Sequence, residues 1–276
     1  MSLEVGTVKG IPIRLHFTLL LVSLLIVWAL ATMLMPEIYP GLSSTLYWTM
    51  GAAGAIILIV SVLLHELAHS IVALRYGLKV SEIVLYIFGG VSVIKEQEEA
   101  SKDFHKEFRI AVVGPIASFV IAAILAISFF LLTLISSEST ITTINTADIT
   151  SSNHTLTIIA AGLLQYGALV NIILGGFNLI PIFPSDGGRI LRSVLLRLKK
   201  NDYDKSTKIT VRIGIMTSYV FMGFGFFNLI SGSPISGIWI LIIGWFLISR
   251  ARSYLAQFER RRSLSGVEVG TQNMKI

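Results

Sequence analysis

Six stretches of this chain are so apolar, and so long, that their only stable home is a lipid bilayer. They run roughly 15–35, 46–73, 109–135, 156–183, 211–231 and 236–249, each at or near the length that crosses a ~30 Å hydrocarbon layer as a helix. The last is the shortest, and its start is placed a few residues earlier if it is to span. Of the 276 residues, 54% are hydrophobic and 14% charged, whereas soluble domains carry about a quarter charged residues. The expected class is an all-α polytopic membrane protein with six transmembrane helices. The first stretch ends in Met33-Leu34-Met35-Pro36, a poor signal-peptide cleavage site, so it is read as a span.

The net charge of +6 points to nucleic acid only until its distribution is read. All 22 Lys and Arg residues fall on one side of this six-span arrangement: Lys9 and Arg14, six from Arg75 to Arg109, eight from Arg189 to Arg212, and six from Arg250 to Lys275. The opposite loops carry only the acids Glu37, Glu138 and Asp148. The positive-inside rule then places both termini in the cytosol, in a multi-pass protein of the cell membrane. The basic face is an orientation signal and a contact for anionic lipid, and no nucleic-acid partner is expected. There is no cysteine, which excludes disulfides and thiolate metal ligands. No internal repeat or low-complexity tract appears, and the loops are short. The expected organisation is one membrane domain over 1–250 followed by a short basic cytosolic tail, 251–276.

Within the second apolar stretch lies His65-Glu66-Leu67-Ala68-His69. On a helix the two histidines are one turn apart and point the same way. Two imidazoles on one face make half of a zinc site, and the glutamate beside them is placed to take a proton from an attacking water. The alternative is a pair of helix histidines satisfied by hydrogen bonds. Three polar residues inside a lipid-spanning helix each need a reason, which favours the site. A catalytic zinc takes three protein ligands. His16, His105 and His154 read as solvent-facing or interfacial. Asp186 is the better candidate, in Asn178-Leu179-Ile180-Pro181-Ile182-Phe183-Pro184-Ser185-Asp186-Gly187-Gly188. Two prolines there forbid a regular helix, and such backbone survives at membrane depth only where it is buried in protein or lines a wet cavity. The alternative is a turn in which Asp186 caps the following basic helix. With Arg75 at the interface, His69 and His65 lie ~9–15 Å deep, on the cytosolic half, with an opening to the cytosol.

These residues resemble the site-2 protease family of intramembrane zinc metalloproteases. The resemblance covers most of the chain. Besides the two motifs it includes Gly10-Ile11-Pro12-Ile13-Arg14-Leu15-His16, Phe88-Gly89-Gly90-Val91, Gly114-Pro115 and Ser206-Thr207-Lys208-Ile209, in the manner of prokaryotic, archaeal-like six-span members. Neither a periplasmic PDZ domain nor a C-terminal nucleotide-sensing domain is in evidence. The resemblance implies one zinc per chain held by His65, His69 and Asp186, Glu66 as general base, and Asn178 lining the site. It implies an endopeptidase that cleaves transmembrane segments of single-span, membrane-tethered proteins. Glu66 can carry the water's proton to the leaving amine, and a side-chain amide at Asn178 suits a developing oxyanion. Asn178 can equally bond carbonyls freed around Pro181, and Asn171 reads as interhelical glue.

The segment Val80–Ile94 is rich in β-branched and aromatic residues, with Gly89-Gly90 in its middle, a pairing that permits a tight hairpin turn. A small membrane-associated β-hairpin beside the site would offer an edge strand, with Gly89, Gly90 and Val91 as substrate-binding residues for an unwound chain. The alternative is an interfacial amphipathic hairpin. The competing functional reading is a membrane metal transporter or metal-binding protein with the same ligands. A transporter wants a polar path across the bilayer, yet the third and sixth spans are read as having no ionisable residue. A third reading, a catalytically dead scaffold, sits poorly with an intact His-Glu-His-Asp set.

Overall fold

The computed structural model describes residues 2–86, 89–94, 97–142, 152–199 and 201–273. Among these, six helical stretches are long and apolar enough to cross a membrane: Phe17–Ile38, Ser44–Arg75, Phe104–Ser136, Thr155–Asn178, Tyr203–Ile230 and Pro234–Ser263. The third begins earlier than its apolar run because its first turn is charged. His105, Lys106, Glu107 and Arg109 are therefore helical, and the expectation of a helix without ionisable residues is corrected there. The sixth likewise continues past Arg250 on a charged surface, and the fourth stops at Asn178, ahead of Pro181, instead of running to residue 183. By internal packing the chain forms two compact units, Met1–Gln97 with Val113–Gly176, and Glu98–Val112 with Phe177–Ile276.

The first unit opens with strands β1 (Ser2–Val8) and β2 (Ile11–His16), joined by Lys9 and Gly10. Both joining residues have positive φ, 50° and 79°, the backbone a two-residue hairpin turn demands and the reason glycine is useful there. Helix α1 (Phe17–Ala29) passes through a π-helical turn, Leu30–Leu34, into the short α2 (Met35–Ile38). Helix α3 (Ser44–Arg75) starts where the Ser43 hydroxyl accepts from the Leu46 N–H at 3.4 Å. Its 32 residues reach roughly 48 Å at 1.5 Å per residue, enough to cross the bilayer with a turn or more to spare. Its C-cap is Tyr76, and the next residue, Gly77 with φ 76°, is the left-handed position that turns the chain back toward the sheet.

Strands β3 (Val80–Tyr86) and β4 (Gly89–Ile94) then complete a four-stranded sheet in the order β1-β2-β3-β4. The hairpin expected over Val80–Ile94 is thus one half of a larger sheet. Gly89 and Gly90 lie in β4, opposite Tyr86 and Leu85, and not in the turn; the connecting residues 87–88 are outside the described set. The β2–β3 pairing is parallel, Ile13 opposite Ile83, because two membrane helices intervene and bring the chain back to the same side. One face of the sheet is buried: Ile11, Ile83 and Leu85 pack with Ile59, Val62, Leu63 and Leu67 of α3. That packing fixes the sheet against the helix that carries the histidines.

In the same unit, helix α5 (Phe104–Thr142) contributes its part from Val113 onward, followed by α6 (Ser152–Asn178) as far as Gly176; the four-residue α4 (Gln97–Ala100) falls at the boundary, with Gln97 in the first unit and the rest in the second. Asn171 of α6 donates to Ser61 Oγ of α3 at 2.8 Å and to Gly167 O at 2.9 Å, which makes it the interhelical link that a buried asparagine in a span provides.

The second unit contains α7 (Asp186–Leu198), α8 (Tyr203–Ile230) and α9 (Pro234–Asn273). Helices α8 and α9 pack closely through small residues. A Cβ added to Gly237 would stand 2.6 Å from the Leu229 nitrogen, and one added to Gly225 2.8 Å from the Leu241 nitrogen. Close backbone approach of this kind is how membrane helices associate without a hydrophobic driving force.

Candidate metal centre

His65, Glu66 and His69 are carried by α3 as the helical period requires. Both histidines are buried, and their Nε2 atoms stand 3.2 Å apart. Two nitrogens bound to a tetrahedral zinc at ~2.0–2.1 Å would be separated by roughly 3.3 Å, so the pair fits that ion. The other ring nitrogen of His65, Nδ1, is 2.9 Å from Ser118 Oγ on α5. An Nδ1–H donated to this hydroxyl leaves Nε2 with its lone pair free for a metal, the usual way a protein fixes the tautomer of a ligand histidine.

One turn earlier on α5 lies Gly114. A Cβ there would overlap His69 Nε2 and fall 2.8 Å from His65 Nε2. The absence of a side chain keeps open the space in front of both ring nitrogens. This close approach accounts for the glycine of the Gly-Pro dipeptide. Glu66 faces β4. A Cβ on Gly90 would overlap the Glu66 side chain and sit 3.0 Å from its Cδ, and Ser92 Oγ donates to Glu66 Oε2 at 2.9 Å. Val91 points the other way and is exposed.

In the second unit, α6 ends at Asn178 and the chain runs irregularly to Ser185. The Ser185 hydroxyl lies 2.6 Å from the carbonyls of both Ile180 and Ile182, and Ile182 N–H bonds to Ile180 O at 2.7 Å. The backbone groups freed by the two prolines are thus partly satisfied locally. The Phe183–Pro184 peptide is cis. Ser185 is the N-cap residue of α7, and Asp186 is the first residue inside the helix, so the alternative of Asp186 as cap does not hold. Its carboxylate is buried, with Arg189 Nη1 at 3.6 Å from Oδ1. Gly187 and Gly188 allow the helix start to press on the preceding loop: a Cβ on Gly187 would overlap Leu179 O, and one on Gly188 would sit 2.9 Å from the Phe183 nitrogen.

Six residues after Asp186, Arg192 anchors α7 in a closed polar box. Its guanidinium pairs with Glu107 (Nε to Oε2 3.2 Å, and Nη2 to Oε1) and donates from Nη1 to the hydroxyls of Tyr203 and Tyr254 at 2.9 and 2.7 Å. Phe183 stacks on Tyr254, ring centroids 4.1 Å apart, and the guanidinium lies 4.9 Å from the Phe183 ring centre. Burial disfavours the charge of Arg192. Glu107, with Tyr254 and Tyr203, more than offsets this and holds the group protonated above the ordinary arginine range.

His65, His69 and Asp186 are all buried, and each offers one nitrogen or oxygen ligand atom suited to a metal ion. Of the other histidines, His16 caps α1, its Nδ1 accepting from Thr18 N at 3.4 Å. His105 is exposed on α5. The His154 side chain lies outside the described set. Sequence reasoning gave no role to Ser92, Ser118, Glu107 and Arg192, and noted Gly114 only as part of a Gly-Pro dipeptide. An arginine six residues from the candidate ligand Asp186, and a glycine just before a mid-span proline, are the signals that were available.

A multi-pass membrane protein with a paired-histidine metal helix inside a span is a narrow class. The chain belongs to peptidase family M50, the site-2 protease family, which it matches over residues 53–221. A zinc metalloprotease of Methanocaldococcus jannaschii is 36% identical over 230 residues, covering 83% of this chain and 55% of its own length. The Mycobacterium tuberculosis protein Rip3 is 31% identical over 268 residues, covering 97% of this chain and 62% of its own. The chain therefore spans between 55% and 62% of the length of these two curated relatives. The solved site-2 protease from Methanocaldococcus jannaschii is similar at a TM-score of 0.53 and 33% identity, covering 92% of this chain and 94% of that one.

Proposed function

We propose that this chain is an intramembrane zinc metalloendopeptidase that cleaves the transmembrane segments of membrane-tethered, single-span proteins. The observation that carries the reading is the α3 turn itself: two buried imidazoles with Nε2 atoms 3.2 Å apart and a carboxylate beside them, within a helix long enough to span a bilayer. His65, His69 and Asp186 hold one zinc. When bound, the ion supplies Lewis acidity that acidifies water and polarises the scissile carbonyl. Glu66 takes the proton of the attacking water and returns it to the leaving amine. Asn178 donates its amide N–H to the oxyanion as negative charge develops there.

Substrate must reach this site unwound, because a helix shields its own peptide groups, and each unpaired group in lipid costs several kcal/mol. Strand β4 is an edge of the sheet and lies against Glu66, so it supports pairing of an extended substrate along Gly89, Gly90 and Val91. The one-sided Lys and Arg distribution supports cytosolic termini and a site that opens to the cytosol. Residues 1–250 form the protease domain and 251–276 a basic cytosolic tail, with α9 running through the boundary to Asn273.

The test is metal analysis beside a cleavage assay on purified variants in lipid. Glu66→Gln keeps its zinc and loses cleavage, because it preserves shape and removes the base. His65→Ala and Asp186→Ala lose both. Undiminished cleavage by Glu66→Gln overturns the assignment.

A further inference from the structure

Strand β4 does more than lie near Glu66. Ser92 Oγ is 2.9 Å from Glu66 Oε2 and 3.2 Å from the Glu66 carbonyl oxygen. Ser70, one turn along α3 and fully buried, stands 3.0 Å from that same carbonyl and 3.1 Å from Ser92 Oγ. Each hydroxyl has a single proton to give. A helical serine readily returns its proton to the carbonyl four residues back, which accounts for Ser70. The Ser92 proton then goes to the carboxylate, the charged and therefore stronger acceptor. On the same face of β4, two residues earlier, Gly90 closes the other flank: its missing Cβ would stand 3.1 Å from Glu66 Oε1. Glu66 is thus held at one oxygen and confined at the other.

We propose that Ser92 is a positioning residue for Glu66, fixing the carboxylate through Oε2 so that Oε1 is the oxygen that meets water. Ser70 keeps Ser92 in register by occupying the competing carbonyl. Because Ser92 belongs to the edge strand, a substrate that pairs with β4 stiffens the same segment that aligns the base. Strand binding and base alignment become one event, and a poorly paired chain meets a poorly aligned base. This inference rests on reading Glu66 as the general base.

The test compares Ser92→Val with Ser92→Thr, two side chains of the same shape that differ in the hydroxyl. The expected result is a fall in kcat of roughly 10- to 100-fold for Ser92→Val, the scale of a small misplacement of a reacting group. KM changes by less than about twofold and zinc content stays at wild-type level. Ser92→Thr recovers most of the lost kcat. In zinc-free protein, the carboxylate stretching band of Glu66, identified by its loss in Glu66→Gln, shifts in Ser92→Val and returns in Ser92→Thr. Equal kcat in the Val and Thr variants, an effect confined to KM, or zinc loss in Ser92→Val each overturns the proposal. These outcomes are separable from failure of the protease reading, which is judged by Glu66→Gln alone.

Discussion

Removing the negative partner of the Arg192 box tests whether that box holds the Asp186 segment in place. Glu107→Gln keeps side-chain volume and one acceptor oxygen but leaves a guanidinium that cannot shed its proton. The side chains of Arg192 and Glu107 are 5% and 1% exposed, so solvent cannot take over. Breaking a buried pair by deleting one partner costs about 3–5 kcal/mol. At roughly 2–4 °C per kcal/mol for a chain of this size, the melting midpoint should drop by about 6–20 °C. Lowering the pH does not rescue it, because the charge left behind is on arginine and stays at every working pH. Glu107→Gln/Arg192→Met removes both charges and should lose less than the sum of the two single losses, since the uncompensated charge is gone. The assay is thermal unfolding in a fixed detergent, with zinc content measured below the midpoint. A Glu107→Gln midpoint within 2 °C of wild type, on the order of one kcal/mol or less, or strict additivity in the double variant, refutes the reasoning.

Gly114→Ala places a methyl group against both ring nitrogens and should abolish zinc retention while leaving the helix content unchanged by circular dichroism; retained zinc would show that the glycine serves only backbone packing. Asn178→Ala should lower the cleavage rate by ~10²–10³ with zinc largely kept, as for loss of one oxyanion donor, and parallel loss of zinc would reassign Asn178 to holding the Asp186 segment. Single cysteines at Ser44 and Ser233 should react with an impermeant thiol reagent from outside, and those at the exposed positions Lys102 and Lys205 should not; the reverse pattern inverts the topology. A proline scan along β4 should block cleavage at one or more positions with zinc retained, because proline removes a donor from the pairing edge. A scan without effect rules out strand pairing there.

The spans and the candidate ligands were legible because each is marked by residues close to it in sequence. Twenty apolar residues announce a span, and His65 and His69 declare their shared face through a separation of four. Asp186 was legible through its prolines, which mark backbone that needs a reason to be in a membrane. The boundaries slipped where a helix continues past its apolar part, as α5 does through Glu107. Strands β1 and β2 were overlooked because they precede an apolar run that dominates the reading, although Lys9-Gly10 is a hairpin turn by composition. Ser92 and Ser118 could not be found in the same way. They act on Glu66 and His65 from 26 and 53 residues away, and a lone serine carries no sign of what it will meet. Gly90 was noticed as a turn residue and as a substrate-binding candidate, but not for the close approach of its strand backbone to the Glu66 side chain.

The parallel β2–β3 pair sets an order of assembly during synthesis. Ile13 waits for Ile83, and at ribosomal rates of ~5–20 residues per second that is roughly 4–14 s after Ile13 is made. Through that interval the β1–β2 hairpin has an open edge and two helices must enter the bilayer before it can close. The histidines of α3 are synthesised before β4, so a nascent chain holds its imidazoles before it holds Ser92 or Gly90. Under the proposed mechanism, Glu66 gains its Ser92 partner when the sheet is finished, and Asp186, the last of the candidate ligands, is made only after that.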